Sequence, residues 1–107
     1  MQQALQTQQW NTVGLTAVHC AICACDAVLV YHTQQRSASP DHDTAAYLLG
    51  VLENVPGAQQ KSITLQRILH EKHVIEYEDR AFTASEAGEL AKLTERFYRW
   101  AVKMVGA

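Results

Sequence analysis

Val13-Gly-Leu-Thr-Ala-Val-His-Cys-Ala-Ile-Cys-Ala-Cys-Asp-Ala-Val-Leu-Val-Tyr31 carries one carboxylate, Asp26, one imidazole, His19, and otherwise small, apolar or hydroxyl side chains. A soluble helix that is apolar nearly all round is normally the buried, central helix of a bundle. Leu15, Val18, Ile22 and Leu29 recur at three-, four- and seven-residue steps and predict a core stripe. Thr16, His19, Cys23 and Asp26 follow similar steps and predict a second, more polar stripe. Two readings of that stripe stay open. Its members are satisfied buried polar groups, or they lie on a dimer seam or the floor of a pocket. A buried carboxylate is costly without a partner, so Asp26 should have one.

The same stretch is long enough to invite a membrane reading. Thr12, Thr16, His19 and Asp26, with many apolar positions filled only by Ala or Cys, argue against a span. The first residues have no basic region followed by a long apolar run, so no signal peptide is expected and the reading is cytoplasmic. All three cysteines fall within six residues. Cys20 and Cys23 lie about one turn apart, where a disulfide would constrain almost nothing. His19 beside Cys20-x-x-Cys23 suggests zinc, but no second pair follows at finger spacing, and the distant His70 and His73 would have to supply it. The expectation is small-residue packing, with no metal or cofactor.

Outward from this helix, the chain of 107 residues fits one domain with a single modest core. Nine basic against eleven acidic residues argue against a protein built to coat nucleic acid, while a local basic groove stays open. Met1 to Gln9 reads as a short or frayed first helix, Trp10 as an anchor on the bundle, and Asn11 or Thr12 as the cap of the central helix. Thr33 to Pro40 breaks the pattern, since Pro40 disfavours helical geometry at Ser39. Asp41 or Ser39 then caps a helix from His42 to about Glu53, with Ala45, Leu48, Leu49 and Leu52 inward. Val55-Pro56-Gly57 stops it.

The next helix runs from Ala58 or Ser62 to His73, with Glu76 as its outer limit, and uses Ile63, Leu65, Ile68 and Leu69 as core contacts. Glu76 to Arg80 is a charge cluster around Tyr77 and reads first as solvated surface. Thr83-x-x-Glu86 is a capping box that opens a last helix with Leu90, Leu93, Phe97, Trp100 or Ala101, and Met104 at core spacing. No run reads as a strand. Four or five helices joined by short loops imply an all-α antiparallel bundle.

The chemistry concentrates in Arg36-Ser-Ala-Ser-Pro-Asp-His42. A guanidinium can hold a phosphate and stabilise charge developing on it. An imidazole near neutrality can take or give a proton. The plain alternative is that His42 and Asp41 cap the helix and that Arg36 pairs with Asp26 or another nearby carboxylate.

An alanine-rich helix, Ala21 to Val30, leads through Gln34 to Pro40 to His42 at the head of the next helix. Glu76 to Arg80 then precede the last helix. This order resembles the HEPN superfamily, the higher eukaryotes and prokaryotes nucleotide-binding domain, from about Trp10 to the end. The Arg-Ser-Ala-x-x-Asp-His string is similar to that of small stand-alone actinobacterial-type members. Ribonuclease members of the superfamily carry an arginine, four to six residues, then a histidine; Arg36 and His42 have five between them. The resemblance implies a metal-independent chemistry leaving a cyclic phosphate.

Two features depart from active members. Ser37 stands where they usually carry an amide or acid, and the string lies between the second and third helices rather than near a later one. That placement resembles members that bind nucleotides or assist a nucleotidyltransferase. The expectation is therefore a HEPN-like binding or accessory domain for nucleotide or RNA, acting as a homodimer, with Arg36 and His42 on phosphate. Asp26 would orient one of them, and Asp41, Tyr77 and Arg80 would border the cleft. A toxin-like endoribonuclease with a partner protein encoded elsewhere, and a structural interaction module, are the alternatives.

Overall fold

The computed structural model describes residues 2–34, 42–77 and 82–106, with side chains from residue 9 onward. Arg36, Asp41 and Arg80 lie outside the described residues. Among the described residues there are four helices and no strand: α1 (Gln2–Thr33), α2 (His42–Gly50), α3 (Ala58–Tyr77) and α4 (Ala84–Met104). The expected all-α bundle is thus present, with four members.

The main correction lies at the N-terminus. No separate first helix precedes the central one; α1 is a continuous rod of 32 residues. Asn11 and Thr12 are therefore mid-helix residues and cap nothing. The glutamine-rich start contains no proline, and glutamine is a good helix former, so helical backbone propagates straight through it. At about 1.5 Å per residue, 32 residues make a rod of about 48 Å, which accounts for the longest dimension of 50 Å.

α1 packs on each of the other three helices. Val18, Ala21, Cys25, Val28 and Leu29 form its buried side. Leu15 falls outside this stripe, and Ile63 does so on α3, at 37% and 59% exposed respectively. In both helices the core seam is narrower than the apolar pattern. Leu65, Ile68 and Leu69 are buried as expected, as are Leu49 and Ala45 on α2. Trp10 docks against the core.

The direction of the helices follows from their contacts. Gly14 of α1 faces Ile75 near the end of α3 and Phe82 just before α4, where an added Cβ would lie 2.6 Å and 2.9 Å from their side chains. At the other end His32 meets the Met104 carbonyl at 2.6 Å. α1 and α4 therefore run parallel, whereas α3 runs against both. The antiparallel expectation holds for α3 and its partners and fails for α1 with α4. Short loops dictate the direction only of helices adjacent in sequence, and α1 and α4 are not adjacent.

Small residues let α2 and α3 approach closely. Ala46 and Ser62 are both buried, Ser62 Oγ donates to the Ala46 carbonyl at 2.7 Å, and a Cβ added at Gly50 would lie 2.9 Å from that Oγ. α2 ends at Gly50, three residues short of the expected Glu53, and residues 51–57 form a turn with Asn54 and Gly57 in the left-handed region. α4 opens on the expected capping box, with Thr83 Oγ1 accepting from the Glu86 amide and Glu86 Oε1 accepting from the Thr83 amide, both at 3.1 Å. Leu90, Phe97 and Ala101 are buried along it.

Trp100 closes the far end of the bundle by donating from Nε1 to the Pro56 carbonyl at 2.8 Å. Trp100→Phe keeps an aromatic ring and removes that donor. The expected cost is about 1 kcal/mol, with faster amide exchange in residues 55–58; unchanged exchange there would show that the bond does not hold the turn.

The segment Gln9–Thr33 is also long and apolar enough to cross a membrane, by length and composition. In the bundle 39% of its most apolar window is buried against the other helices.

Candidate functional site

α2 begins at His42, and its imidazole is exposed. Asp43 follows in the first turn, also exposed, where a carboxylate complements the positive end of the helix dipole. Opposite it, α3 presents His70 and His73 one turn apart. Asp43, Gln66, Leu69, His70 and His73 line an open hollow of about 600 Å³. The Tyr77 ring sits on His73 with centroids 4.8 Å apart and is 71% exposed. Neither His42 nor Tyr77 lines this hollow itself: His42 precedes its lining residue Asp43 in the chain, and Tyr77 rests against its lining residue His73.

Asp26 is half-buried on α1. Next to it the Cys25 thiol donates to the Ala45 carbonyl at 3.8 Å, so the turn of α1 that carries Asp26 lies against the first turn of α2. The fully buried Cys25 thiol is pushed up to about 12 from 9.0 by burial, and the neighbouring Asp26 charge adds to this. At neutral pH it is a packed thiol and not a nucleophile.

His70 and His73 are the site residues that sequence reasoning considered only as zinc ligands. Their spacing of three on a helix with one wet face was the available signal. No group of three or more metal-ligating side chains sits together among the described residues.

The polar stripe of α1 is not buried. Thr16, His19, Cys20 and Cys23 are exposed; of the three cysteines only Cys25 is packed inside. The expectation that all three are core-packing residues is corrected accordingly. A helix in contact with three others on one side still has an opposite side, and this stripe lies on it.

A second hollow, of about 300 Å³ between α3 and α4, mixes Arg67, Lys92 and Arg96 with Glu71, Glu86 and Glu89. Its charges balance, so it has no net preference for an anion. Comparison with protein-family models, with curated proteins and with solved structures finds no match for the chain.

Proposed function

We propose that the chain is a small HEPN-like binding or accessory domain for nucleotide or RNA, cytoplasmic and homodimeric, working with a partner protein encoded elsewhere. The feature that supports this reading is the exposed His42 at the head of α2, six positions after Arg36 in the sequence and next in the chain to Asp43, which lines a hollow with His70 and His73. Arg36 supplies the permanent positive charge that a phosphate requires. His42 adds an imidazole N–H donor. Tyr77 offers a face on which an unpaired base can stack. Asp26 and Asp41 are assigned to orient these donors, and Arg80, three positions after Tyr77 in the sequence, to supply a second permanent positive charge.

The test is binding of a fluorescent single-stranded RNA to the reduced protein in chelator, with the RNA then run on a denaturing gel. Binding that weakens roughly 10- to 100-fold in Arg36→Ala, the loss of a charge-assisted hydrogen bond, supports the reading. Tyr77→Ala is expected to lose about 1–3 kcal/mol of affinity. Intact RNA throughout keeps the protein a binding module. Cleavage that disappears in both Arg36→Ala and His42→Ala would replace this reading with a metal-independent endoribonuclease. No binding, or equal binding by all variants, would remove the site.

A further inference from the structure

His19 and Cys23 lie one turn apart on the outward side of α1, and the Nε2 to Sγ distance is 3.7 Å. Both side chains are exposed. A tetrahedral zinc ion bound at about 2.0–2.1 Å to a histidine nitrogen and about 2.3 Å to a thiolate holds those two atoms about 3.6 Å apart. The separation of the pair, here that of a hydrogen-bond contact, is therefore close to the bite of such an ion.

Two ligands are half of a tetrahedral set. No third metal-ligating side chain joins them among the described residues, which leaves two positions of the set for ligands from a second molecule. The surrounding face suits a second copy. From Trp10 to Thr33 the only formal charge on α1 is the half-buried Asp26, so two such faces meet without a row of like charges. Thr16, Cys20 and Ala27 flank the pair and are small and exposed, which lets a second helix come close. A shallow, mainly apolar groove of about 440 Å³ between α1 and α4, lined in part by Val13, Cys20 and Tyr98, adjoins the same side. Across a two-fold axis, one His-Cys pair meets an identical one.

We propose that His19 and Cys23 are half of a site for a thiophilic divalent cation of the zinc class, completed by the same two residues of a second copy of this chain. The ion is held by two thiolates and two imidazoles. Each Cys23 thiol gives its proton to solvent as the metal binds. This site is independent of Arg36 and His42.

The experiment uses full-length protein, stripped of metal and kept in a non-thiol reductant, titrated with Co²⁺ as a spectroscopic probe and with Zn²⁺. The expected result is a thiolate-to-cobalt charge-transfer band that saturates at one metal per two chains, with a doubling of mass by light scattering that chelator reverses. Cys23→Ser and His19→Ala should each abolish both signals, and Cys20→Ser should keep them. All three positions are exposed, and retained helical circular dichroism confirms that the variants fold. Absence of the band, saturation at one metal per chain with unchanged mass, or loss in Cys20→Ser with retention in Cys23→Ser would overturn the proposal. A dimer that resists chelator and dissolves only in more reductant would be a disulfide, and would overturn it as well.

Discussion

Replacing Phe97 by alanine is expected to lower the free energy of unfolding by about 3–5 kcal/mol. Phe97 is 0% exposed, and it is the largest of the fully buried side chains. Its ring centroid lies 5.7 Å from that of Trp100, the residue that clasps the 51–57 turn. Truncation removes the transfer free energy of a whole ring, leaves a cavity in an all-helical core, and takes away the surface that orients Trp100. Domains of this size are stable by only about 5–15 kcal/mol in total, so the midpoint of thermal unfolding should drop by roughly 12 °C or more. Arg99→Ala, two positions along the same helix, is the control. Its side chain is 74% exposed and pairs with the i−4 carboxylate of Glu95 at 2.6 Å. An exposed pair of that type is worth roughly 0.3–0.5 kcal/mol. Equal losses for the two variants, measured by denaturant unfolding, would mean that Phe97 is not at the centre of the core.

The second large effect is a dependence of stability on alkaline pH that traces to one thiol. Cys25 titrates near 12 in the folded chain against 9.0 when solvated, because burial disfavours the thiolate and Asp26 repels it. Between those two values the unfolded chain has released the proton while the folded chain still holds it. The unfolded state then binds fewer protons, so stability falls as pH rises, by about 1.4 kcal/mol per pH unit. The contribution is fully present below pH 9 and is lost progressively towards pH 12. Other groups also titrate in this range, so the measurement is a difference: the unfolding free energy of wild type minus that of Cys25→Ala, followed from pH 8 upward. That difference should decline steeply above pH 9. A flat difference would show that Cys25 ionises as readily folded as unfolded.

The sequence legibly encodes what depends on local chemistry. The capping box at Thr83 and Glu86, the inward face of α4 and the start of α2 at His42 each rest on a few adjacent residues, and each is found in place, whereas α2 stops at Gly50, ahead of the Val55 to Gly57 break. Less legible is what depends on the amount of surface that neighbours can cover. Leu15 and Ile63 match the helical period, yet α2, α3 and α4 leave that flank of each helix open. The polar stripe through His19 and Cys23 reads as buried because the residues around it are apolar; three packing partners cover only the opposite side. The continuity of α1 is invisible for a related reason. A glutamine run carries neither a breaker nor an apolar period, so pattern alone gives no reason to join it to the helix that follows.

The candidate site divides along the same line. That His42 heads a helix follows from Pro40 and Asp41 before it. That His70 and His73 face Asp43 across a hollow needs the close α2–α3 contact made by Ala46 and Ser62, which no periodicity announces. Arg36 is tied to His42 by their spacing in the sequence and by the loop string they share, so whether the two act on one ligand is the central question.

The most direct measurement is a double-mutant cycle on RNA affinity with wild type, Arg36→Ala, His42→Ala and the double variant, at one fixed salt concentration. If both side chains hold the same phosphate, the second loss is smaller once the first residue is gone, and the coupling should be about 0.5–3 kcal/mol. Losses that add within about 0.3–0.5 kcal/mol would place the two residues in separate sites and contradict the account.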